Sequence, residues 1–170
     1  FYMNYLDKGE YFTKDIYNKA PFIFQPDVFK PQLLNQLIGI TILNTKQFEL
    51  EISFTEKTAI TQNYSDISTQ DVEMNIGVFK KIYRFNETIS LPFLNGTFRL
   101  RDPNDPQINK TIFLKFSGFD GIVEDYKKNI KIEPLGKSSS VLKLSLSGTN
   151  KSKIVDYLNT TVAALSQTEL

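Results

Sequence analysis

Residues 37–54 read "LIGITILNTKQFELEISF", and their alternation decides the fold. Ile38, Ile40 and Ile42 recur every second residue. So do Phe48, Leu50, Ile52 and Phe54, set against Gln47, Glu49, Glu51 and Ser53. A two-residue period puts one set of side chains on a buried face and the other in solvent, the mark of a half-buried strand. Asn44-Thr45-Lys46 separates the runs, so the stretch predicts an antiparallel hairpin. "ISLPFLNGTFRL", residues 89–100, predicts a second hairpin that turns at Asn95-Gly96, a dipeptide tolerant of the positive φ angles of a type I′ turn. Pro92 has no N–H to donate and therefore places its strand at an edge or shortens it. "KTIFLKF", residues 110–116, adds a strand with Ile112, Leu114 and Phe116 on one face.

Later in the chain the period changes. In "KSSSVLKLSLSGTNKSKIVDYLNTTVAAL", residues 137–165, Leu142, Leu144 and Leu146 alternate with Lys143 and Ser145. Beyond Gly148-Thr149-Asn150 the apolar residues fall at Ile154, Tyr157, Leu158, Val162 and Leu165, the spacing of one helix face. This predicts a helix over 151–166, capped by Asn150 or Thr149 and carrying no terminator before the last residue. A shorter helix is predicted over 119–128. Ser117 and Asp120 have capping-box spacing there, and Phe119, Ile122, Val123 and Tyr126 form a stripe. "NIKIEPL" reads as a strand between the helices. Leu144, Leu146, Ile122, Tyr126, Ile154 and Leu158 are expected to share one cluster. Residues 55–75 are polar without a clean period and read as a loop or insertion. The fold class that follows is α+β: a mostly antiparallel sheet with two helices packed on one face, in a single domain spanning 1–170.

Composition narrows the chemistry. Lys+Arg 20 against Asp+Glu 19 leaves net +1, so no global field attracts nucleic acid. The chain holds no cysteine and no histidine. Thiol chemistry, zinc fingers and histidine-based catalysis are thereby excluded. No apolar run reaches the roughly 20 residues of a membrane span. The opening "FYMNYL", without an initiating methionine, reads as part of something longer.

Site motifs are few. No glycine-rich loop fits a nucleotide fingerprint, and "RDPNDPQINK" fails the calcium-loop pattern because Pro106 stands at the fifth position with no glycine after it. Glu49/Glu51 and Glu124/Asp125 fall on outward faces, where solvation accounts for them better than acid–base work. No catalytic, cofactor-binding or metal-ligating residue is therefore assigned. The six N-x-S/T sequons, at Asn63, Asn86, Asn95, Asn109, Asn150 and Asn159, fit a bias toward Asn, Lys and Ile as well as they fit glycosylation. Tyr2, Tyr5, Tyr11 and Tyr17 fall off the strand patterns, which keeps a sugar-binding surface open.

The run "VEDYKKNIKIEPLGKSSSVLKLSLSGTNKSKIVDYLNT", residues 123–160, resembles the extracytoplasmic segment of polysaccharide co-polymerases, or chain-length determinants. It is most similar to the branch fused to cytoplasmic tyrosine autokinases. The matching residues are Ser139, Ser140, Leu144, Ser145 and Leu146 in a strand motif, then Ile154, Val155, Asp156, Tyr157, Leu158 and Asn159 in a helix motif. "DIYNKAPF", with Tyr17, Pro21 and Phe22, resembles an upstream motif of the same family, and "LPFLNGTFRL" resembles its hairpin. The stretch from Glu51 to Val78 is longer than the family pattern, and the turn before the last helix lacks the usual proline.

The resemblance implies a non-catalytic scaffold on the periplasmic side of the inner membrane, held between two spans and continuing into a coiled coil. Its implied partners are copies of itself in a membrane-bound ring, the polysaccharide polymerase or export machinery, and nascent polysaccharide. No nucleic acid and no cofactor is implied, and a kinase would lie in the parent beyond these residues. A different class fits the residues too: a secreted β-rich glycan-binding or adhesion module.

Overall fold

The computed structural model describes residues 2–9, 13–136, 141–148 and 150–168. The chain divides into two compact units, Tyr2–Phe119 and Asp120–Leu170, where its length predicts one domain. The first unit is built of strands. A six-stranded antiparallel sheet runs in the order β2 (Thr13–Asp15), β1 (Met3–Lys8), β12 (Thr111–Phe116), β5 (Ile38–Ile42), β6 (Gln47–Phe54), β9 (Gly77–Arg84). A second sheet runs β10 (Thr88–Ser90), β11 (Asn95–Leu100), β3 (Phe22–Pro26), and a third runs β4 (Gln32–Leu33), β7 (Thr58–Gln62), β8 (Thr69–Glu73).

The hairpin at 37–54 forms in the expected register, with Ile40 opposite Leu50 and Ile42 opposite Phe48. Asn44 makes its turn: its side-chain oxygen accepts from the N–H groups of Lys46 at 2.8 Å and Gln47 at 2.9 Å. The inner face of the large sheet buries Ile38, Ile40, Phe48, Leu50, Ile112, Leu114 and Phe116 completely. Aromatic residues of the second sheet close over it. Phe98 lies 4.8 Å from Phe48, and Phe24 lies 5.9 Å from Phe116, centroid to centroid. Each such side chain contributes roughly 1.5–3 kcal/mol by leaving water, so these inner faces dominate stability.

Three expectations are corrected. First, the α+β arrangement with two helices covering one sheet face does not form; the protein is β-rich, with four sheets. Helices do form, α1 over Phe119–Asn129 and α2 over Lys151–Thr168, but the buried core draws on residues of the first unit alone. The physical reason is that the large sheet's apolar face already has a cover in Phe22, Phe24, Ile89 and Phe98. Second, residues 55–75 are not a loop. They form the β7–β8 hairpin, with Thr58 opposite Glu73 and Gln62 opposite Thr69. Its buried positions are Ala59, Thr61 and Gln62 while Ile60 is exposed, so no apolar alternation betrays it. Third, Asn95-Gly96 is not a turn. Both residues lie in β11, paired with Ser90 and Ile89, and the chain reverses through Leu91–Leu94.

Gly96 is needed for close approach. Its φ is +150°, and a Cβ there would collide with the Gln25 carbonyl oxygen and come within 2.7 Å of the Phe24 ring.

The second unit runs α1, β13 (Ile130–Pro134), β14 (Leu142–Leu146), α2. Its two strands pair as a hairpin, Ile130 opposite Leu146 and Ile132 opposite Leu144. Asn150 caps α2 by accepting the Lys153 N–H at 3.1 Å. At the head of α1 the Phe119 N–H is taken by Gln62 Oε1 at 2.9 Å, not by the expected capping box. The expected cluster of Leu144, Leu146, Ile122, Tyr126, Ile154 and Leu158 is half-buried throughout, not core. Tyr126 and Tyr157 stack at 3.8 Å and 5°.

Candidate functional site

Register on the large sheet's outer face fixes which side chains lie side by side. One row crosses it as Leu6, Phe113, Gly39, Glu51, Lys80, and the next includes Thr111, Thr41, Glu49, Ile82. Gly39 puts no side chain into the first row and is buried, with the Phe113 ring standing against it. An open trough of about 760 Å3 borders these rows, lined by sheet residues and by residues of the 34–37 and 55–60 segments.

Backbone bonds tie these two segments to each other and to the sheet. The Leu34 N–H donates to Ile60 O at 2.9 Å, and the Asn35 N–H donates to Phe116 O at 2.8 Å. Asn35 takes a left-handed φ of 58°, which turns the chain out of the core and over the sheet. The trough is thus preformed.

Its lining mixes polar side chains with Leu34, Leu37, Ala59, Ile60 and one ring. The Thr41 and Thr111 hydroxyls share a hydrogen bond at 2.7 Å. Gln36 Oε1 is buried and has no hydrogen-bond partner. The Phe113 ring stands beside Gly39, its edge 3.5 Å from where a Cβ would be, and Lys8 Nζ sits 4.5 Å from the ring centroid. Beside the trough, Lys80 Nζ binds Glu49 at 2.9 Å and Glu51 at 3.0 Å. These carboxylates raise the Lys80 pKa, because they stabilise its charged form. The acid pair that the sequence offers is therefore shared by one ammonium.

The residues singled out from sequence do not meet in one place. Tyr17, half-buried, sits at a φ of 38° and donates its N–H to Asp15 Oδ1 at 2.9 Å. Pro21 is buried, and Phe22 is fully buried, paired with Leu100. Leu144 and Leu146 are half-buried on β14, as is Leu158 on α2; Tyr157 stacks on Tyr126, and Asp156 and Asn159 are exposed. Ser139 and Ser140 lie outside the described residues. These positions fall within their own units. The trough was missed because its residues are scattered over five strands and loops. One signal could have found it: Gly39 interrupts a run of β-branched residues.

Among the described residues no group of three or more acidic residues is placed to hold a metal, and no helix is long and apolar enough to cross a membrane. Comparison of the chain with protein-family models, with curated proteins and with solved structures finds no match.

Proposed function

We propose that this chain is a non-catalytic extracytoplasmic domain of a membrane-anchored assembly that governs the polymerisation, chain length or export of a surface polysaccharide. The reading rests on the resemblance to chain-length determinants. One structural observation supports it: Phe119 to Thr168 folds as helix, strand, strand, helix, the order that the resembling motifs carry, with Tyr157 of the helix motif stacked on Tyr126. In this reading the domain acts by holding neighbouring copies and the polymer in place. The parent chain supplies the membrane spans and, in the kinase-bearing branch, the cytoplasmic kinase.

The test is genetic. Deleting the coding segment for these residues from its native gene, in frame, should shift or abolish the modal length of surface polysaccharide on a gel. An unchanged length distribution, with the truncated parent still present in the membrane fraction, overturns the reading.

A further inference from the structure

We infer that the free edge of β9 docks an extended peptide segment of a partner protein, one that carries carboxylates between apolar residues and joins the large sheet beyond β9. The register against β6 fixes which backbone groups of β9 are unused. The Phe85 N–H donates to Lys46 O at 2.9 Å, and the pairing continues with Tyr83 opposite Phe48, Lys81 opposite Leu50 and Phe79 opposite Ile52. Antiparallel pairing alternates, so these residues direct their N–H and C=O groups at β6, while Val78, Lys80 and Ile82 aim theirs out of the sheet. At Arg84 the edge closes: Glu87 Oε2 accepts its N–H at 3.1 Å, and the Glu87 N–H donates to its carbonyl at 3.3 Å.

Among the described residues, the other edges of the first unit are short, capped or acidic. β2 and β10 have three residues and β4 has two. The Phe24 N–H of β3 is taken by the Tyr5 hydroxyl at 2.9 Å, and β8 carries Asp71 and Glu73. β9 is eight residues long and holds no proline. A lysine on an edge ordinarily repels an incoming strand with its unpaired charge. Lys80 does not, because its ammonium is drawn back over its own sheet to Glu49 and Glu51. On the same face Val78 and Ile82 are 62% and 52% exposed.

The chemistry along the edge selects the segment. A strand laid beside β9 has Val78, Lys80, Ile82 and Arg84 as neighbours on one face and Phe79, Lys81 and Tyr83 on the other: three cations and no acid. Cross-strand pairs favour opposite charges and apolar matches. Carboxylates therefore suit the places beside Lys80, Lys81 and Arg84, and apolar side chains those beside Val78, Phe79 and Ile82. A pocket of about 440 Å3 adjoins the start of β9 and can take one apolar anchor. Phe93 lines it with Phe54 and Phe79, whose rings meet its own edge to face at 5.3 and 5.4 Å, and Glu73 is its one charged residue. In strand addition the main chain supplies affinity and such pockets supply specificity. A second copy offering its own β9 brings cations to an edge that already holds them, and like charges opposite one another destabilise the pairing. Nucleic acid fits poorly, because Glu49 and Glu51 on the next strand already engage Lys80.

The docking edge stands on β9 alone and is independent of the polysaccharide reading. The test is titration of the 15N-labelled 170-residue chain with the acetylated, amidated heptapeptide Glu-Thr-Val-Glu-Glu-Phe-Val. In antiparallel register this peptide sets its acids against Arg84, Lys81 and Lys80 and its apolar residues against Ile82, Phe79 and Val78. Saturable amide shifts should be confined to 47–54, 73–84 and 92–93, and hydrogen exchange should slow at Val78, Lys80 and Ile82. N-methylation at the third and fifth peptide residues, whose N–H groups face β9, should abolish binding, whereas N-methylation at the fourth and sixth should leave it unchanged. Lysine in place of the three glutamates should weaken binding about tenfold or more. So should Ile82→Pro, which removes an N–H that β6 does not use, and Ile82→Glu, which sets an acid against the acids of the peptide at an exposed position. Absence of saturable shifts, shifts elsewhere, or undiminished binding by the lysine peptide, by the peptide methylated at its third and fifth residues or by Ile82→Glu each overturns the inference. If Ile82→Pro fails to fold, Ile82→Glu decides. A dimer in sedimentation velocity, with the three amides protected before peptide is added, gives the edge to a second copy and overturns the inference as well.

Discussion

Gln32 and Asn95, 63 residues apart in sequence, are joined by two hydrogen bonds between a side chain and a backbone. The Gln32 amide donates to Asn95 O at 2.7 Å, and the Asn95 N–H donates to Gln32 Oε1 at 3.2 Å. A carboxamide carries one donor edge and one acceptor edge, as a peptide group does, so Gln32 stands in for a neighbouring strand beside β11. The Asn95 side chain returns the contact by donating to the carbonyl oxygens of Pro31 and Leu91, each at 2.9 Å. Both residues are buried, and together they bind the start of the third sheet to the second.

Replacing Gln32 with leucine keeps the volume and removes the pairing. The Asn95 N–H is then left buried without its acceptor, which costs the desolvation of an unsatisfied group as well as the bond. The expected loss is about 2–3 kcal/mol in urea denaturation, with an unchanged slope. A loss below about 0.5 kcal/mol, the usual range for surface positions, contradicts the assignment.

Gly39 and Gly96 should respond in opposite ways to alanine. Gly96→Ala forces a Cβ against Gln25 O and the Phe24 ring at a positive φ, and should cost about 3 kcal/mol or more. Gly39→Ala meets only ordinary contacts, and alanine loses less entropy than glycine, so stability should stay within about 1 kcal/mol or rise. Thermal unfolding of the two variants side by side decides this. Equal destabilisation would show that the surroundings of Gly39 have no room for a methyl group.

The hairpin of 37–54 was legible in the sequence because one of its faces is wholly apolar and the other is open to solvent, which is when a two-residue period shows. The same rule fails at β7–β8. Ile60 is 55% exposed there while the buried positions include Thr61 and Gln62, so burial does not follow polarity. Asn95-Gly96 misleads for a related reason. The dipeptide suits a turn locally, but the Gln32 pairing and the close approach at Gly96 are long-range contacts that no local pattern carries. The helices were placed correctly because their stripes are local; what covers the large sheet was not, because cover is a tertiary fact. The trough is least legible of all. Its row from Phe113 through Gly39 to Glu51 exists only once the register of three strands is known.

Alkaline pH should unfold the first unit through its tyrosines. Tyr2 and Tyr64 stack at 4.0 Å, and the Tyr64 hydroxyl donates to Ser117 O at 2.7 Å. Burial raises the pKa of Tyr64 well above 10.0, and raises those of Tyr2 and Tyr5 in the same direction. A phenol whose folded pKa lies above its unfolded value binds its proton more tightly when folded. The linked stability is therefore fully present below pH 10 and is lost as pH rises through the folded value. Denaturant midpoints should hold between pH 7 and 9 and fall steeply above about pH 10. Tyr64→Phe should flatten that fall while losing some stability at pH 7, where the bond to Ser117 is missing. A fall as steep in Tyr64→Phe as in the parent would assign the alkaline limb to other groups.

The second unit should be the softer one. No residue of α1 is buried, and Leu158 on α2 is half-buried, whereas Leu50 in the first unit is fully enclosed. The cost of truncating a leucine follows the surface and cavity it leaves, so Leu50→Ala should lose about 2–5 kcal/mol. Leu158→Ala, from a site that is partly in water already, should lose about 1 kcal/mol, below the 2–5 kcal/mol that a core helix would imply. The Tyr126 and Tyr157 rings stack within this unit, and a double-mutant cycle to alanine should return a coupling of about 0.5–1.5 kcal/mol. Native-state hydrogen exchange reads the same contrast without mutation. Amides of β5, β6 and β12 should open only with global unfolding, while those of α1, β13, β14 and α2 should open at lower free energy, because few apolar contacts hold them. If α2 amides exchange as slowly as those of β5, or Leu158→Ala costs as much as Leu50→Ala, then Leu158 and its neighbours form a core of their own.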